Sequence, residues 1–183
     1  MEFAMSGLPQ RIRRWSQVFA YVTLAAMILI AGVFLLFLFR PALAYDVLVD
    51  AAPSVQVAGE IGVTTIYALL AVGALSVAVQ LFLLWGMYRL FSLYAAGEAL
   101  TGECGDCVSR IGAALLALPV ASVIYGMASS VLLSWQNPEG QRELTIALSL
   151  HSIGFLIGGA LLLMVGITIR QAAQVAEENR GFI

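Results

Sequence analysis

Lysine is absent from these 183 residues, and charge of either sign is scarce. Only 11% of positions are charged, and all nine basic residues are arginine. A soluble domain carries about 25% charged residues, so a water-facing surface over the whole chain is excluded. The formal net charge is −2. No bulk field draws such a chain to nucleic acid, and no direct nucleic-acid binding is expected. Cysteine is limited to Cys104 and Cys107, and histidine to His151. That excludes a disulfide framework. It also leaves one chain short of the four ligands that a tetrahedral zinc site takes. Nucleophilic triads, phosphate-cradling loops and paired catalytic carboxylates are not apparent. No catalytic residue and no cofactor is expected, and the chain reads as non-enzymatic.

What fills the sequence is apolar residues, 61% of the total. A membrane-crossing helix takes roughly 20 of them in a row. Four runs qualify: Val18–Phe39, Ile61–Tyr94, Ile111–Leu133 and Leu144–Ile169. The first follows Arg11, Arg13 and Arg14 and precedes Ala42-Leu43-Ala44, which has the look of a signal cleavage site. It is longer than a signal core of about 7–15 residues, and Arg40-Pro41 separates it from those alanines. It reads as a retained span. The expected fold is all-α: one integral membrane domain over 1–183, a four-helix bundle with spans at about 18–39, 61–94, 111–133 and 144–178.

Arginine placement orients the bundle. With the N-terminus inside, Arg11, Arg13, Arg14, Arg89, Arg110, Arg170 and Arg180 share the cytoplasmic face, and only Arg40 and Arg142 lie opposite. The expectation is N-in and C-in. Spans two and four run on past the bilayer, because "MYRLFSLYAAGEAL" keeps helical spacing and "IRQAAQVAEEN" has no breaker before Gly181. Pro41 to Glu60 forms an outer loop long enough for a short surface helix. The polar "TGECGDCVS" is expected as an inner loop.

Inside the spans, small residues recur at helical spacing: Ser122, Gly126 and Ser130 in the third, Gly154 and Gly158 in the fourth. Such faces let backbones approach, within one chain or between protomers. Pro119 is expected to kink the third span. Gln80 reads as a hydrogen bond to a neighbouring helix, with a permeation lining as the other reading. His151, four residues after Ala147, reads as a hydrogen-bonded side chain rather than a pigment or haem ligand.

The reading of Cys104 and Cys107 depends on their compartment. Cytoplasmic thiols stay reduced, which favours two ordinary cysteines. A metal site would need both thiols from each of two chains. A redox role would need a context that a membrane helix does not supply.

Two stretches resemble a known family. Gly97, Glu98 and Thr101, followed by Arg110, Ile111 and Gly112, are similar to a hallmark of the DUF2975 family of small bacterial four-helix membrane proteins. So is the Ala172, Ala173, Ala176, Glu178, Asn179 stretch that closes at Ile183. The resemblance covers roughly Gln80 onward. Cysteines at 104 and 107 depart from its pattern. It implies a multi-pass protein of the bacterial inner membrane, often encoded beside small helix-turn-helix regulators. A regulatory or interaction role follows as an expectation, with a cytoplasmic helix-turn-helix partner. The alternative is an accessory subunit of a larger integral membrane complex. Membrane lipid is a partner on either reading, and homo-oligomers are compatible with both. The marked positions Gly97, Glu98, Thr101, Arg110, Glu178 and Asn179 all fall at the inner helix ends. They are expected to form one network, with Glu98 paired to Arg110.

Overall fold

The structure, a computed structural model, describes residues 10–50, 62–98, 101–135 and 150–180. They form five helices: α1 (Gln10–Phe39), α2 (Pro41–Asp50), α3 (Val63–Ala96), α4 (Gly102–Ser134) and α5 (Leu150–Arg180). No strand occurs among the described residues. Helices α1, α3, α4 and α5 are each long and apolar enough to cross a membrane. The shortest of these, α1, has 30 residues; at 1.5 Å rise it is about 45 Å long, against a hydrocarbon core of about 30 Å.

The long helices alternate in direction. Arg13 Nε donates to Ala95 O at 3.0 Å, and Tyr67 OH reaches Leu38 O at 3.5 Å, so α1 and α3 lie antiparallel. Gly105 faces Arg170 and Gly112 faces Gly159, so α4 and α5 do too. The described beginning of α1 and the end of α5 therefore stand at the same end of the molecule, together with the α3–α4 turn.

Packing follows chain order. Helix α1 packs on α3, α3 on α4, and α4 on α5. Among the described residues α1 touches neither α4 nor α5, and α5 touches α4 alone. The bundle is thus an open row. Burial reflects this: α4, with long neighbours on both sides, holds the largest buried set, whereas α1 buries only Ser16, Ala20 and Thr23. Those three recur at spacings of four and three, one narrow face of a helix.

The stretch after Pro41, long enough for a short helix, carries α2. Arg40 breaks α1 before Pro41, whose fixed φ and missing N–H suit a first helical position. Ala44 of α2 is fully buried and joins Ile66 and Leu70 of α3, flanked by Phe34 and Phe37 of α1.

Helix α4 starts nine residues before the expected position. The polar "TGECGDCVS" is not an open loop, since all but its first residue belongs to α4. The reason is local. Thr101 is extended (φ −86°, ψ 161°) and its hydroxyl accepts from Cys104 N at 3.4 Å, an N-cap. Glu103 then lies in the first turn, where a carboxylate suits the helix dipole. Pro119 remains inside α4 and is buried. Lacking an N–H, it leaves one turn of the backbone ladder open. The start expected for the fourth span, 144–149, lies outside the described residues, as do the connections 51–61 and 136–149.

Candidate functional site

The positions singled out by the sequence converge in part on the α3–α4 turn. Helix α3 ends on Gly97, whose φ of 91° is left-handed. Gly97 N donates to Tyr94 O at 3.1 Å and Glu98 N to Leu93 O at 3.0 Å. These two bonds form a Schellman motif, which satisfies the last carbonyls of the helix and favours glycine. After two further residues Thr101 caps α4. The Cys104 thiol then donates to Glu98 O at 3.0 Å, tying the first turn of α4 back to the turn before it. Gly97, Glu98 and Thr101 therefore act together as the joint between two helices.

Arg110 is not part of that joint. The ion pairs among the described residues are Arg89–Glu103 at 3.7 Å and Arg170–Asp106 at 3.5 Å, and Glu98–Arg110 is not one of them. The physical reason is helix phase and depth. Arg110 stands more than two turns inside α4, and its guanidinium lies 5.9 Å from the centre of the Trp85 ring. Arg89 approaches the same ring at 6.0 Å.

Glu178 and Asn179 are also outside the expected network. Gly105 packs on Arg170, and α4 begins three residues before Gly105. The last two turns of α5 therefore overhang the start of α4. Glu178 and Asn179 stand exposed in that overhang.

Both cysteines are buried, at 1% and 2% exposure. With the thiols enclosed, a second chain cannot reach them unless the helices part. The packing thus opposes the intermolecular metal site considered for Cys104 and Cys107. Among the described residues no group of three or more His, Cys, Asp or Glu side chains is placed to hold a metal ion.

Within the chain, the close approach does not use the small-residue faces expected from the sequence. A Cβ on Gly126, Gly154 or Gly158 would meet nothing within 4 Å. Ser122 is exposed; Ser130 is buried, and its hydroxyl donates to Met127 O at 2.9 Å. The close approach within the chain is made by Gly105 and Gly112 of α4 against Gly159 and Gly166 of α5. A Cβ on Gly105 would lie 2.8 Å from Gly166 O, and one on Gly112 would lie 2.7 Å from Gly159 O. Each pair is seven residues apart, two turns, and so returns to one face. That seven-residue spacing stands in the sequence beside the four-residue spacing of Gly154 and Gly158. Gln80 is exposed, contrary to the expected contact with a neighbouring helix. His151, the second residue of α5, is exposed too, and its neighbour Ala147 lies outside the described residues.

The chemistry at this end of the molecule is charge, aromatic surface and a projecting helix. Trp15, Phe19 and Phe91 form a ring chain across α1 and α3, with centroids 6.1 and 5.4 Å apart. Trp135 lies at the opposite end of α4. Tryptophans toward both ends of a row of apolar helices match the aromatic belts of membrane proteins. Comparison with protein-family models, curated proteins and solved structures gave no match to this chain.

Proposed function

We propose that the protein is a non-enzymatic interaction or regulatory module of the bacterial inner membrane, with both termini in the cytoplasm, and that the overhang of α5 is the part a cytoplasmic partner reads. The observation that carries this reading is the exposure of Ala172, Val175 and Ala176, with Val175 56% exposed, on a helix that among the described residues touches only α4. Arg170 and the carboxylate of Asp106 stand where α5 leaves the row. Beyond that level an apolar helix face has no lipid to cover it, and such a face marks a contact site. The resemblance to the DUF2975 family supports the same role and a small helix-turn-helix regulator as the partner.

A second reading, an accessory subunit of an integral membrane complex, is favoured by the open row. The outer faces of α1 and α5 carry apolar side chains such as Ile28 and Ile157, both 66% exposed. Photo-crosslinking residues at Val175 and at Ile157 in native membranes separate the two. A soluble adduct at Val175 supports the regulatory role. An integral membrane adduct at Ile157 supports the subunit role. Adducts to lipid alone at Ile157 and none at Val175 overturn both.

A further inference from the structure

We propose that Trp85, Arg89 and Arg110 form a binding site for the phosphate of an anionic phospholipid. Trp85 and Arg89 lie one turn apart on α3, and Arg110 comes from α4, so the site bridges the groove between the two helices. The guanidiniums of Arg89 and Arg110 stand 6.0 and 5.9 Å from the centre of one indole ring. The two positive charges are thus within twice that distance of each other. Their countercharge is incomplete. Arg89 meets Glu103 at 3.7 Å, and Arg110 has no acidic partner among the described residues.

Depth selects the ligand. Arg110 lies eight residues into α4 and Arg89 seven residues before the end of α3. Both are therefore about 10–12 Å inward from the turn at 1.5 Å per residue. Toward the row's centre α3 and α4 are apolar; toward the turn stand Glu103, Asp106 and Thr101. This is the level at which arginine stems lie along apolar surface and their heads reach the lipid phosphates. Tryptophan prefers the same level, and Trp85 is 39% exposed, so its ring is open to a lipid. Two like charges beside one ring repel. A phosphodiester between them removes that repulsion and accepts hydrogen bonds from both guanidiniums. Basic pockets between membrane helices bind anionic head groups by this chemistry. A zwitterionic lipid brings its own cation and offers no net countercharge.

The test uses the full chain carrying Trp15→Phe and Trp135→Phe, so that Trp85 is the remaining tryptophan and its emission alone is excited. It is placed in phosphatidylcholine nanodiscs containing equal mole fractions of either brominated phosphatidylglycerol or brominated phosphatidylcholine. The expected result is stronger quenching by the phosphatidylglycerol. Arg110→Gln lowers the relative association about fivefold, the equivalent of about 1 kcal/mol for one basic residue near a membrane surface. Arg89→Gln does the same and serves if thermal unfolding shows that Arg110→Gln fails to fold. Arg110→Lys keeps the preference, and Glu103→Gln raises it. Arg170→Gln, which removes the same charge beside α5, leaves it in place. Equal quenching by the two lipids overturns the proposal. So does a loss with Arg170→Gln as large as with Arg110→Gln, since the attraction would then be diffuse.

Discussion

Gly112 of α4 and Gly159 of α5 meet backbone to backbone. A Cβ on the first would stand 2.7 Å from the carbonyl oxygen of the second, and a Cβ on the second 2.9 Å from that of the first. Neither neighbour is the far end of a flexible side chain. A methyl group at either position must push two helices apart, and α5 has no other helix to hold it among the described residues.

Gly112→Ala and Gly159→Ala are therefore expected to destabilise the protein by about 1–3 kcal/mol each, the usual cost of overpacking. Gly154→Leu and Gly158→Leu are expected not to destabilise the single chain, because the new side chain meets no neighbour there and a mid-helix glycine costs about 1 kcal/mol relative to a good helix former. Thermal unfolding in detergent measures both. Equal losses at 112 and 158 would show that α5 presents a different face to α4.

The α3–α4 joint makes a second set of expectations. Thr101→Ala removes an N-cap and is expected to cost about 1 kcal/mol, with Thr101→Ser largely neutral. Gly97→Ala places a Cβ at φ 91° and is expected to cost about 1–2 kcal/mol. Urea or guanidinium unfolding of the four proteins ranks them. A neutral Gly97→Ala would contradict the left-handed turn.

Cys104 and Cys107 are expected to react slowly with maleimide in the folded protein and rapidly once it is unfolded, because both are buried. Cys104→Ser keeps a donor for Glu98 O; Cys104→Val does not. The valine variant is expected to be the less stable by about 1 kcal/mol, the net worth of one hydrogen bond. Mass spectrometry of timed alkylation checks the first point. Fast labelling of the native state would place the thiols on the surface.

Topology gives the fourth. A reporter fused after Ile183 is expected to be active only in the cytoplasm, and one inserted in the Pro41–Glu60 loop only outside, on the arginine asymmetry. Activity of the loop fusion in the cytoplasm would reverse the proposed orientation.

The four long helices could be read from the sequence because their signal is local. An uninterrupted apolar run satisfies its own backbone only as a helix, whatever its neighbours do. The helix after Pro41 was readable only as room for a short helix between Pro41 and Glu60. The start of α4 was less readable. Its cap, Thr101, is a single residue, and the segment behind it is polar with two glycines, a composition that also suits a loop.

Composition and run length by themselves determined that the chain is helical and how many long apolar helices it has. Only the tertiary structure decided which faces of those helices meet. Helix phase is set by the neighbour, and several small-residue stripes compete for it on one helix. The pairing of Gly112 with Gly159, the open row that leaves α5 with one neighbour among the described residues, and the placing of Arg110 beside Trp85 rather than Glu98 all depend on that phase. Each joins residues that are distant in sequence or on different helices, so no local pattern carries it.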